Sequence, residues 1–152
     1  MLTELFANRI LVVPAAAWAI AQLVKTILVF AKGKGLQPRY LFASGGMPSA
    51  HSALVSALAT SVAIVSGVDS MAFGISAILA LVVMYDATDV RHSVGQQSIV
   101  INRIVEEIRL GRPMTQLRSD LRELVGHTPF QVFAGSALGI GVALLWFAMA
   151  AA

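Results

Sequence analysis

Ser44-Gly45-Gly46-Met47-Pro48-Ser49-Ala50-His51-Ser52-Ala53 is the stretch on which the reading of this chain turns. Before it runs a basic, turn-rich segment with Lys32, Lys34 and Arg39 among glycines and Pro38. After it runs an apolar segment that a helix would fit. Gly45 and Gly46 free the backbone to approach a ligand closely. Pro48 suits the first turn of a helix, where a missing N–H costs nothing. Ser49 and Ser52 offer hydroxyls, and a new helix start offers unpaired N–H groups and the positive end of a dipole. Those are the parts of an anion site. His51, one turn inside, can move a proton near neutral pH. The same residues would equally make a capped helix with a surface histidine.

Working outward, the chain has 152 residues, of which 57% are hydrophobic and 12% charged, with a mean hydropathy of +0.78. A soluble domain averages about 25% charged residues, so the depletion points to a membrane. The absence of cysteine excludes disulfides and thiolate metal sites. A pI near 9.8 raises nucleic acid as a partner. The basic residues, however, lie between long apolar runs, which fits membrane topology and not nucleic-acid binding. Arg9 followed by 10–21, with Ala15-Ala16-Ala17, has the outline of a cleaved signal peptide. The apolar pattern continues past Gln22 and Lys25 to Ala31, so a retained first membrane helix is expected.

Four apolar segments emerge, at about 10–31, 48–67, 70–90 and 129–151. A spanning helix needs roughly 20 residues, with a range of about 17–25. The third meets this only if it carries Asp86 at its end. The short Gly67-Val68-Asp69-Ser70 link implies an antiparallel helix pair. Between the third and fourth segments, Ile99, Ile101, Ile104, Val105, Ile108 and Leu110 give a partly amphipathic helical pattern. Gly111-Arg112-Pro113 breaks it, and a second short helix follows. The expected fold is therefore all-α: one membrane domain over 1–152, a four-helix bundle with an amphipathic surface helical segment at about 95–125, between helices 3 and 4.

Four alternating spans put Lys25, Ser49, His51, Asp86, Arg91 and His127 at one membrane face. Of the 11 lysines and arginines, all but Arg9 fall on that side. The positive-inside rule then places that face in the cytoplasm of a plasma (inner) membrane protein. Lys25 at membrane depth costs a few kcal/mol on insertion scales, so it calls for a partner, a role, or snorkelling to the interface. Asp86 and Arg91 also fit an interfacial ion pair. The spacing of His51, His92 and His127 is unlike a helical metal-ligand pair, and no metal is expected. Gly135 and Gly139 form a Gly-x-x-x-Gly pattern for close helix packing, within the chain or between chains of a homo-oligomer.

A second stretch, Gly126-His127-Thr128-Pro129-Phe130-Gln131-Val132-Phe133-Ala134-Gly135, puts another histidine at a helix entrance. Two histidines and a lysine-arginine set around one helix-start pocket suit phosphoryl transfer. Positive groups and backbone N–H groups hold the equatorial oxygens, one histidine attacks phosphorus, and the other protonates the leaving oxygen.

These residues resemble a known family. Pro48-Ser49-Ala50-His51 is similar to the Pro-Ser-Gly-His motif of type 2 phosphatidic acid phosphatases (PAP2), which are related to vanadium haloperoxidases. More closely, Gly45 to Ser52, Asp86 to Arg91 and Gly126 to Pro129 resemble three motifs of the divergent PAP2 branch: Gly-Gly-Met-Pro-Ser-Ser-His-Ser, Asp-Ala-x-x-Val-Arg and Gly-His-x-Pro. The resemblance covers roughly 22–141. It implies a metal-independent lipid phosphatase with no cofactor, in which His127 is the nucleophile that becomes phosphohistidine and His51 is the general acid. Lys25, Arg91, Ser49 and the Gly45-Gly46 backbone would clamp phosphate. Three departures stand out. Ala50 replaces the motif's glycine. Gln131 stands where the superfamily has the aspartate that orients the nucleophile, so its carboxamide or a carboxylate, Asp86 or Asp89, would take that role. The Lys-x6-Arg-Pro motif is imperfect, and Arg122 competes with Arg91 for phosphate.

The expected function is hydrolysis of a phosphomonoester on a membrane lipid at the cytoplasmic face. Phosphatidylglycerophosphate leads, phosphatidate and undecaprenyl pyrophosphate follow, and the apolar bundle would hold the tail. The competing expectation is an inactive membrane protein that binds anionic lipid head groups or scaffolds a partner.

Overall fold

A computed structural model describes residues 2–31, 46–88, 101 and 128–151. Within them the chain is all-helical: α1 Leu2–Ala7, α2 Arg9–Ala31, α3 Ala50–Ser66, α4 Met71–Thr88 and α5 Pro129–Ala151. Apart from Ile101, the expected surface segment at 95–125 lies outside the described residues, as do Gly45, Arg91 and His127 of the candidate site.

Local chemistry sets the helix ends. Asn8 starts α2, its Oδ1 accepting the Ile10 N–H at 3.0 Å. The short α1 before it gave no sequence signal, because six residues cannot show a helical period. Ser49, in extended backbone, caps α3. Helical residues therefore begin at Ala50, and Pro48 precedes the cap where the sequence suggested a place in the first turn. Gly67, at φ +89°, ends α3 with its N–H on the Ala63 carbonyl. Ser70 then caps α4 by accepting the Phe73 N–H at 3.1 Å. The hairpin turn thus occupies the Gly67–Ser70 link.

α2, α4 and α5 are long and apolar enough to cross a membrane. α3 is shorter, with 17 residues, or about 25 Å of rise against a hydrocarbon core of about 30 Å. It is the axis of the bundle, packed against α2, α4 and α5, while α4 meets α5 over a few residues only. The packing uses small side chains. Ala21, Ala50 and Ala53 form one buried cluster, flanked by Trp18 and Leu138. Val13, Ala17, Ala57 and Ala143 form the other. Large side chains such as Ile75, Val82, Phe133 and Leu145 face outward and are 60% exposed or more. This arrangement is expected where hydrocarbon is the solvent: lipid is as apolar as leucine, so helices associate by close backbone approach and not by hiding large side chains.

Gly135 and Gly139 show how close that approach is. A Cβ on Gly135 would overlap the Ser49 carbonyl oxygen and lie 3.1 Å from Ser49 Cβ. A Cβ on Gly139 would overlap the Ala53 carbonyl. Of the two packing roles open in the sequence, the structure shows the one within the chain. Both glycines are buried against α3 and set α5 beside its first two turns.

Candidate functional site

The site grows from two helix starts held side by side. At the first, Ser49 is fully buried and its Oγ accepts twice, from the Ser52 N–H at 3.3 Å and from the Ser52 hydroxyl at 2.9 Å. With those positions filled, the Ser49 proton is left to donate to another acceptor. Ser52, also fully buried, is the second hydroxyl that the sequence offers at this helix start. Its spacing of three from the cap is the signal for the contact. Ser52→Ala should cost about 1 kcal/mol of stability, read as a lower thermal unfolding midpoint in detergent.

At the second start, Thr128 and Gln131 form a capping box. The Gln131 N–H donates to Thr128 Oγ1 at 3.4 Å, and Gln131 Oε1 accepts the Thr128 N–H at 3.2 Å. This is the reciprocal Thr-x-x-Gln pattern, with Pro129 in the first helical position that proline favours. Gln131 therefore has a structural role, because it fixes the residue next to His127. Replacing Gln131 with Glu keeps the acceptor and adds charge favourable to a helix N-terminus, so stability should hold or rise. Gln131→Ala should cost about 1 kcal/mol in the same unfolding assay.

A main-chain bond joins the two starts, as the Ser49 N–H donates to the Gln131 carbonyl at 3.1 Å. Each helix N-terminus carries roughly half a positive charge, so the pair concentrates about one unit at this end of the bundle. Lys25 adds to it. The side chain is only 4% exposed, so it does not run out to lipid. Its stem lies beneath Gly46, where a Cβ would sit 3.6 Å from Lys25 Cγ and 3.7 Å from Cδ. Gly46 itself has φ +86°, a backbone that only glycine adopts without strain.

Among the residues expected from sequence, Lys25, Gly46, Ser49 and Gln131 are thus gathered at the start of α3. His51 is the second residue of α3 and exposed. Asp86 is half-buried near the end of α4. It lines a groove of about 800 Å³ between α4 and α5, whose other wall begins at Pro129. His127 is bonded to Thr128 but is not itself described.

A helical membrane bundle with two capped helix starts and a buried lysine at one end is the class this architecture defines. The chain belongs to the divergent PAP2 family, whose model matches residues 6–142. It is 39% identical to the uncharacterized membrane protein YuiD of Bacillus subtilis (strain 168), over 93% of this chain and 96% of that one. No solved structure matches it significantly.

Proposed function

We propose that the protein is a metal-independent lipid phosphate phosphatase working at the cytoplasmic membrane face. The observation that carries this reading is the Ser49 N–H to Gln131 carbonyl bond, which sets the two motif-bearing helix starts beside each other. An imidazole nitrogen of His127 attacks phosphorus. The N–P bond forms as the P–O bond to the lipid alcohol breaks, and the departing oxygen takes a proton from His51. Water then attacks the phosphohistidine, releasing inorganic phosphate and freeing His127. Lys25, Ser49, the Gly45-Gly46 backbone and Arg91 hold the phosphoryl oxygens while charge builds on them. Family membership and the basic residues in the two connections that flank these helix starts in the sequence support this reading.

Phosphatidylglycerophosphate is the leading substrate and phosphatidate the next. The test is phosphate release from each by purified protein in detergent with excess chelator. Turnover of either supports the reading. No release from these or from a prenyl pyrophosphate removes it. It would favour the second reading, an inactive protein that binds anionic head groups. The commitment of the Gln131 carboxamide to a helix cap, where PAP2 enzymes carry an aspartate, is what supports that alternative.

A further inference from the structure

The main chain of Ser49 is pinned on both sides. Its N–H donates to the Gln131 carbonyl at 3.1 Å, and its carbonyl accepts the Ala53 N–H at 3.0 Å. Its Cβ is packed as closely, since a Cβ added to Gly135 would lie 3.1 Å away. What stays free to turn is the hydroxyl proton, and Ser52 governs it. The Ser52 N–H and the Ser52 hydroxyl both donate to Ser49 Oγ, at 3.3 and 2.9 Å. A hydroxyl oxygen has two acceptor positions, so both are taken. The reverse direction, Ser49 donating to Ser52, would leave the Ser52 proton to find an acceptor in a fully buried part of α3. A buried donor without one costs more than the bond gains. The spare proton of the pair therefore belongs to Ser49, at the helix start.

We propose that Ser52 is a positioning residue: acting through Ser49, it makes the start of α3 a donor-only contact for a phosphoryl oxygen. The inference rests on the lipid-phosphate reading above and deepens it by saying how the clamp selects its ligand. An ionised phosphoryl oxygen accepts and never donates, so it matches a hydroxyl whose acceptor positions are filled. A ligand that presents a hydroxyl, an amine or an amide N–H to Ser49 finds no acceptor there. Without the Ser52 hydroxyl, one acceptor position of Ser49 reopens and the proton loses its fixed direction. Ser52 touches no ligand itself. Ser56, buried one turn further along α3, is the natural control, because it is not among the partners of Ser49 Oγ.

A double-mutant cycle on phosphate binding tests this. Inorganic phosphate is titrated calorimetrically into the purified protein in detergent, for wild type, Ser49→Ala, Ser52→Ala and the double variant. Ser49→Ala should weaken binding about tenfold or more, as expected for a lost hydrogen bond to a charged group. Ser52→Ala should weaken it about threefold to tenfold when Ser49 is present and not at all in the Ser49→Ala background. Ser56→Ala should leave it unchanged. Should Ser52→Ala fail to fold, Ser52→Cys, close in size but a weak donor, gives the same comparison. Additive losses, an equal loss in Ser56→Ala, or no phosphate binding by the wild type overturns the proposal. Phosphate release from lipid substrates is scored separately. Its absence beside the expected binding pattern removes the phosphatase reading and leaves Ser52 as the residue that orients an anion-binding hydroxyl.

Discussion

Gly135→Ala should cost at least about 3 kcal/mol of stability and abolish whatever activity the helix starts support, whereas Gly141→Ala should leave both unchanged. The three glycines of the α5 middle differ in what a Cβ would meet. At Gly135 it overlaps the Ser49 carbonyl, and at Gly139 the Ala53 carbonyl. Those neighbours are backbone and cannot rotate away as a flexible side chain could. At Gly141 nothing lies within 4 Å. Overpacking a core typically costs about 1–3 kcal/mol, and backbone obstacles place Gly135 at or beyond the upper end. The functional consequence follows from position. Gly135 touches the residue that caps α3 and donates to Gln131. Pushing α5 outward there parts the two starts. Gly139→Ala should destabilise comparably. Thermal unfolding in detergent and phosphate release, run on all three variants, check the pattern. Equal effects at Gly135 and Gly141 would contradict the close-packing account.

His127→Ala should lower lipid phosphatase turnover by at least about 10³-fold, and His51→Ala by about 10²–10⁴. On the proposed mechanism the first loses the atom that bonds to phosphorus, so no partial route survives. On that mechanism the second loses only the proton delivered to the leaving oxygen. A substrate with a good leaving group, such as a nitrophenyl ester, needs that proton less. The His51→Ala defect should therefore shrink on it, while the His127→Ala defect should not. Equal defects on both substrates in His51→Ala would remove the general-acid role. Retained turnover in His127→Ala would remove the nucleophile.

Much of this architecture is legible in the amino-acid order, for identifiable reasons. The spans come from unbroken apolar runs, and the hairpin turn from Gly67 and Ser70, whose chemistry ends one helix and caps the next. The face each helix turns inward is not legible. α4 is apolar all round, so periodicity has nothing to report, and the buried positions are alanines and serines in place of large side chains. Ser52, Ser56 and Ser61 on α3 are buried, where the rules for soluble proteins would turn them outward. Lys25 is legible as an anomaly, but its direction is not; burial beneath Gly46 settles it. Gln131 shows how one pattern hides another. Its place in a catalytic motif points toward the nucleophile, although Thr128-x-x-Gln131 spells a capping box in the same four residues.

The most direct measurement is a rapid-quench search for phosphoenzyme with a lipid substrate labelled in its phosphomonoester. A nucleophilic imidazole must leave an N–P bond, stable in alkali and lost in acid. The account predicts such a label on the peptide containing His127, absent in His127→Ala and discharged as inorganic phosphate on continued incubation. Phosphate release by the wild type with no covalent label, or with label on any other residue, would contradict it.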